Sequence, residues 1–146
     1  KRLIGMPGDI IQFVDGNIFI NNKKLKRTKI KFKKTIRCGK NNLRVNAFEE
    51  ELPNGIRYTA VYSLYGTLQN TDKYIVPKNH YFLMGDNRDC SKDSRFLNSV
   101  GYVKDVNLVG EAKIIFFSND TYKGSVLKIW NLKNSFRLER LFQRLK

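Results

Sequence analysis

Val14-Asp15-Gly16-Asn17-Ile18-Phe19-Ile20-Asn21-Asn22 reads as strand, hairpin turn, strand, turn. Asp-Gly accepts the two positive φ angles of a tight hairpin, and the β-branched and aromatic residues beside it suit a pleated, half-buried surface. Upstream, Leu3-Ile4, Ile10-Ile11 and Phe13-Val14 are short runs of the same kind, broken by Met6-Pro7-Gly8-Asp9. Pro sets φ to about −65° and Gly accepts a positive φ, so Pro7-Gly8 predicts a type II turn. Downstream, Lys29-Ile30-Lys31-Phe32-Lys33 alternates with period two, as a strand with one wet face does. Glu49-Glu50-Glu51 with Pro53-Asn54-Gly55 reads as an exposed turn, Ile56 to Tyr65 as a strand, and 66–73 as a loop. Tyr81-Phe82-Leu83-Met84 and Lys113-Ile114-Ile115-Phe116-Phe117 are predicted buried strands. The expected fold class is mainly β.

The 146 residues carry 28 Lys and Arg against 13 Asp and Glu, a net charge of +15. That excess must form a basic surface, which suits a solvated coat, anionic lipid or nucleic acid. A hydrophobic content of 41% supports a packed interior and argues against wholesale disorder. Residues 23–40 hold ten of the basic side chains and no acid, which reads as a strand edge guarded by lysines. Aromatics are too sparse there for base stacking to be the better explanation. No apolar run approaches the roughly 18 residues of a membrane helix.

In the tail, Leu138, Leu141, Phe142 and Leu145 fall at i, i+3, i+4 and i+7, with Asn134 or Ser135 available as N-cap. Arg137, Arg140 and Arg144 flank them. This predicts a short basic amphipathic helix, either lying on a membrane surface or packed on the body.

Two cysteines, Cys38 and Cys90, and one histidine, His80, are too few for a structural zinc site. The cysteines can pair in an oxidising compartment, but two cysteines do not settle it. His80 reads as a strand-edge residue without a chemical role. The chain offers no Ser-His-Asp set and no metal cluster, and Gly5-x-x-Gly8 is too short for a phosphate loop. What remains is lysine and serine chemistry. A lysine acts as a base only when neutral, and an unperturbed one is neutral in about one molecule in 2,500 at pH 7. Burial lowers that cost. Lys1 precedes the apolar pair Leu3-Ile4, which could supply a pocket, and Ser91 lies in a polar segment, Gly85 to Arg95. Carboxylates and guanidiniums alternate so closely in that segment that it can be rigid without regular structure.

Two boxes carry a resemblance. Lys1-Arg2-Leu3-Ile4-Gly5-Met6-Pro7-Gly8-Asp9 resembles the K-R-x-x-G-x-P-G-D box of bacterial type I signal peptidases. Gly85-Asp86-Asn87-Arg88-Asp89-Cys90-Ser91-Lys92-Asp93-Ser94-Arg95 resembles their G-D-N-R-D-N-S-x-D-S-R box. Gly101-Tyr102-Val103 and Asn107-Leu108-Val109-Gly110 are similar to the family's residues downstream of that second box. The resemblance implies a Ser–Lys dyad endopeptidase that removes signal peptides from exported proteins. By position in the boxes, Lys1 corresponds to the general base and Ser91 to the serine that orients it. Asp93 and Arg95 correspond to an ion pair that holds the site. Arg88 and Asp86 are expected to support the loop, and Arg2 and Asp9 to have structural roles. No metal or cofactor is implied.

The sequence departs from the family pattern in two places. Cys90 stands where Asn is usual. The nucleophilic serine, upstream of the lysine in the family, has no counterpart here, since the first serine is Ser63. The chain starts at Lys1 with neither Met nor a signal pattern, so it reads as a segment of a longer protein, inactive alone. The expected architecture is a catalytic β core over 1–16 and 74–120, an inserted β subdomain over 17–73, and a basic tail over 121–146. The resemblance implies signal peptides and an anionic membrane surface as partners, on the outer side of the bacterial inner membrane, with no nucleic acid. The competing readings are a self-cleaving repressor-type Ser–Lys protease and a non-enzymatic, nucleic-acid-binding β domain.

Overall fold

The computed structural model describes residues 1–31, 35–64, 66, 70–118 and 137–145. The chain divides into two compact units, Lys1–Leu108 and Val109–Lys146. Among the described residues there are only strands, turns and short 3-10 segments, as the mainly β expectation requires. No helix among them is long and apolar enough to cross a membrane.

The described residues of the first unit form three antiparallel sheets. One orders β1 (Arg2–Gly5), β10 (His80–Met84) and β11 (Val103–Lys104) as β1-β10-β11. A second, β4-β3-β2-β9, contains β2 (Ile10–Val14), β3 (Asn17–Ile20), β4 (Lys23–Lys24) and β9 (Tyr74–Ile75). The third is built on the eleven-residue β7 (Asn41–Glu51), which pairs with β5 (Lys26–Ile30), β6 (Thr35–Cys38) and β8 (Arg57–Ser63).

Local turn chemistry sets the hairpins. Asp9 N–H donates to the Met6 carbonyl at 3.0 Å with Gly8 at φ 89°, which fits the type II turn predicted at Pro7-Gly8. Asp15 and Gly16 take φ 47° and 68°, and Asn21 and Asn22 take 51° and 63°, so two hairpin turns succeed each other. Alternate residues of these strands, Ile11, Phe13, Ile18 and Ile20, point into one core with Ile4, Leu25, Leu52, Ala60, Val76, Phe82 and Met84. His80 opens β10, and its Nδ1–H donates to the Lys78 carbonyl at 2.9 Å.

Three expectations need correction. Glu49-Glu50-Glu51 is no exposed turn. It is the end of β7, and the turn to β8 begins at Leu52, where Gly55 N–H bonds the Leu52 carbonyl. Pleating sends Glu49 and Glu51 out to Arg57, whereas Glu50 is 0% exposed.

In the second unit, the run Lys113–Phe117 forms only the two-residue β12 (Ile114–Ile115), and Phe116 is 80% exposed rather than buried. The tail is not a helix over 137–145. Leu138–Arg140 is one 3-10 turn, and Phe142 takes φ 57°, outside the helical region. Phe142 N–H then bonds the Ile115 carbonyl at 2.7 Å, and β13 (Gln143–Arg144) pairs with β12. Strand pairing satisfies the backbone groups that a helix would have used internally. The expected caps, Asn134 and Ser135, lie outside the described residues, as do Phe32 and Lys33 of the basic run.

Candidate active site

The register of β1 against β10 builds the centre of the site. Arg2 pairs with Met84, so Lys1 falls beside Gly85, where β10 gives way to the polar segment. Lys1 Nζ donates a hydrogen bond to Ser91 Oγ. Gly85 makes that approach possible. A Cβ at this position would overlap Ser91 Oγ, lie 2.5 Å from Ser91 Cβ and lie 3.4 Å from Lys1 Nζ. The expected apolar pocket is not formed by the neighbours of Lys1 in sequence. Ile4 enters the core, Leu3 is 39% exposed, and Lys1 itself is exposed.

The segment from Gly85 to Arg95 is held by side chains, as its composition predicts. Asp93, 0% exposed, accepts from Gly85 N–H at 2.9 Å and from Arg95 Nε at 2.7 Å and Nη2 at 2.9 Å. Arg95 Nη2 also donates to the Arg88 carbonyl. Ser94 and Leu83 exchange two bonds, Ser94 N–H to the Leu83 carbonyl at 3.0 Å and Leu83 N–H to Ser94 Oγ at 2.9 Å. Burial alone would raise the Asp93 carboxyl. The Arg95 and Gly85 hydrogen bonds and the Arg95 charge outweigh it and hold the group below its ordinary value.

On its outer side the segment is laid along β8. Val61 N–H donates to the Asp86 carbonyl at 2.8 Å, Arg88 N–H to the Val61 carbonyl at 2.9 Å, and Ser63 N–H to Asp89 Oδ2 at 2.6 Å. Arg2 reaches Asp86 through two parallel bonds of 2.9 and 3.0 Å while its guanidinium lies 3.8 Å from the centre of the Tyr58 ring. Cys90, next to Ser91, forms a disulfide with Cys38 at the end of β6.

Of the residues singled out from the sequence, Lys1, Ser91, Arg2, Asp86, Arg88, Asp93 and Arg95 converge here. Asp9 does not. It clamps the β1–β2 turn, accepting from Met6 N–H at 2.8 Å and from Asn21 Nδ2 at 2.7 Å.

Arg88 leads to residues that sequence reasoning missed. Its side chain is 1% exposed, and Nη2 donates to Glu50 Oε2 at 2.6 Å and to Tyr58 OH at 3.0 Å, with Nη1 donating to Tyr62 OH at 2.9 Å. Tyr58 and Tyr62 in turn donate to Glu50. Burial first, and the Glu50 charge with it, push both phenols above their usual range despite Arg88. Burial works against the Arg88 charge, but the two tyrosines and Glu50 more than compensate and raise its proton affinity. Glu50 gave no sequence signal apart from its place between two other glutamates. Gly85 stood in the box without an assigned role.

A family profile described as signal peptidase, peptidase S26, matches residues 1–117. The chain belongs to this family. It is 38% identical to the signal peptidase I of Rickettsia prowazekii over 160 aligned positions, covering 99% of this chain and 58% of that protein. The signal peptidase I of Rickettsia typhi matches at 38%, and that of Rickettsia canadensis at 39%, with the same coverage. The chain therefore spans a little under three fifths of the length of these relatives. The profile contains both boxes, so the convergence of Lys1 and Ser91 occurs within the part of the chain that carries the family relationship.

Proposed function

We propose that this chain supplies the general base of a Ser–Lys endopeptidase that removes signal peptides from exported proteins. The hydrogen bond between Lys1 Nζ and Ser91 Oγ is the observation that carries this reading. It fixes an amine whose lone pair, in the neutral form, would otherwise rotate freely, and a fixed base is what proton abstraction requires. The nucleophilic serine comes from a segment outside residues 1–146. Lys1 takes its proton as the serine oxygen attacks the scissile carbonyl. Lys1 then gives that proton to the amine, the C–N bond breaks, and the acyl-enzyme remains. Neutral again, Lys1 takes a proton from the water that attacks the ester and returns it to the serine oxygen as the ester bond breaks.

Substrate is placed along β1. This strand is at the edge of its sheet and begins beside Lys1, so an extended peptide can add to it through main-chain bonds. Half-exposed Leu3 and Met6 offer apolar contact for small side chains. The Cys38–Cys90 disulfide favours an oxidising compartment, in keeping with a catalytic region on the outer side of the bacterial inner membrane. The basic surface would face anionic lipid.

Cleavage of a signal-peptide substrate by the full-length protein tests the reading. Lys1→Arg should abolish turnover, because a guanidinium keeps its proton, and Lys1→Ala should do the same. Wild-type turnover by Lys1→Arg would overturn the assignment.

A further inference from the structure

We infer that Glu50 is a positioning residue for the reaction, holding Ser91 under Lys1 through Arg88. The inference rests on the Ser–Lys reading and extends it to a residue of the β7–β8 hairpin.

The register of the third sheet creates the cluster. Glu50 lies directly opposite Tyr58 on β8 and Arg27 on β5, and Tyr62 comes after Tyr58 on the same face of β8. Arg27 is occupied elsewhere, with its Nη1 donating 2.8 Å to the Gly16 carbonyl and its guanidinium over the Phe48 and Tyr62 rings. Among the described residues, Glu50 is the carboxylate that faces Arg88. Its two oxygens accept from Tyr58, Tyr62 and Arg88.

Arg88 is the point at which this cluster enters the catalytic segment. Its main-chain N–H is bound to Val61, and its carbonyl accepts from Arg95. Arg95 holds Asp93, Asp93 holds Gly85 N–H, and Gly85 is packed against both Ser91 and Lys1. The two buried ion pairs thus act in series, one outside the segment and one inside it. Desolvated ion pairs contribute little net stability compared with apolar side chains of the same size. They do fix one geometry, because each bond is short-ranged and directional. A proton transfer between Lys1 and a serine needs that constancy, since displacement by about 1 Å can cost a hundredfold in rate.

The experiment compares kcat and KM of the full-length enzyme and its variants on a signal-peptide substrate, below every variant's melting temperature. Glu50→Gln should lower kcat at least tenfold and leave KM within twofold, because β1 is untouched. Arg88→Gln combined with Glu50→Gln removes the lone buried charge. It should restore much of the melting temperature while kcat stays at least tenfold down. A purely structural role predicts that kcat returns with stability, and that result would overturn the inference. So would wild-type kcat in Glu50→Gln, or a loss carried by KM. If Glu50→Gln does not fold, the double variant and Tyr62→Phe decide, the latter expected to lose about threefold in kcat at unchanged KM. Lys1→Arg, run alongside, separates the two claims. An inactive Lys1→Arg with a fully active Glu50→Gln sinks the inference alone, and an active Lys1→Arg sinks the reading beneath it.

Discussion

Cys38 and Cys90 are 52 positions apart in sequence and joined by a disulfide, which ties the end of β6 to the residue beside Ser91. A crosslink of that span removes conformational freedom mainly from the unfolded chain, worth about 4 kcal/mol in the loop-entropy estimate. Replacing both cysteines by serine should lower the unfolding free energy by roughly 2–4 kcal/mol in urea titrations. Wild-type protein in reductant should show the same loss. Because the Glu50 and Asp93 ion pairs still hold the segment, cleavage at temperatures where the variant is folded should fall far less than stability does.

Gly85→Ala tests how closely Ser91 approaches the backbone. The added Cβ would lie 2.5 Å from Ser91 Cβ, so Ser91 or the end of β10 must move. Turnover should drop on the order of a hundredfold. Circular dichroism should stay that of the wild type, since Gly85 is outside the strands.

Ser91 itself should behave as an orienting group. Ser91→Ala should slow turnover without abolishing it, and Ser91→Thr, which keeps a hydroxyl, should be milder. Mass spectrometry after acylation by a mechanism-based inhibitor should find no adduct on Ser91. An adduct there would make Ser91 the nucleophile.

Acid should weaken the fold through Asp93. Its folded-state proton affinity is depressed, so the unfolded chain binds a proton first as pH falls. The stability it contributes is complete above the ordinary carboxylate value, near 4, and is lost as pH drops through the lower folded value. In Asp93→Asn, denaturant midpoints should be lower at neutral pH and change less between pH 5 and 2 than in the wild type.

The short-range features were legible because each depends on a few adjacent residues. Pro7-Gly8, Asp15-Gly16 and Asn21-Asn22 are the residue types that tolerate the φ values these turns demand, and all three turns are found. The two boxes were legible for the same reason, as contiguous strings of residues. The side-chain bonding within Gly85 to Arg95 could be anticipated, because Asp93 and Arg95 are two positions apart and meet within one turn of chain.

Tertiary structure decided what depended on partners far along the chain. A carboxylate between two others reads as solvent-facing, yet Glu50 is buried because Arg88, 38 positions away, brings the compensating charge. The leucine spacing at 138–145 fits a helix, but pairing with Ile114 and Ile115 offers the same backbone groups another set of bonds. The pairing of Cys38 with Cys90 and the meeting of Lys1 with Ser91 likewise required strand registers that no local pattern encodes. Turn geometry comes from the φ preference of single residues, whereas burial and pairing come from the whole chain's choice of neighbours.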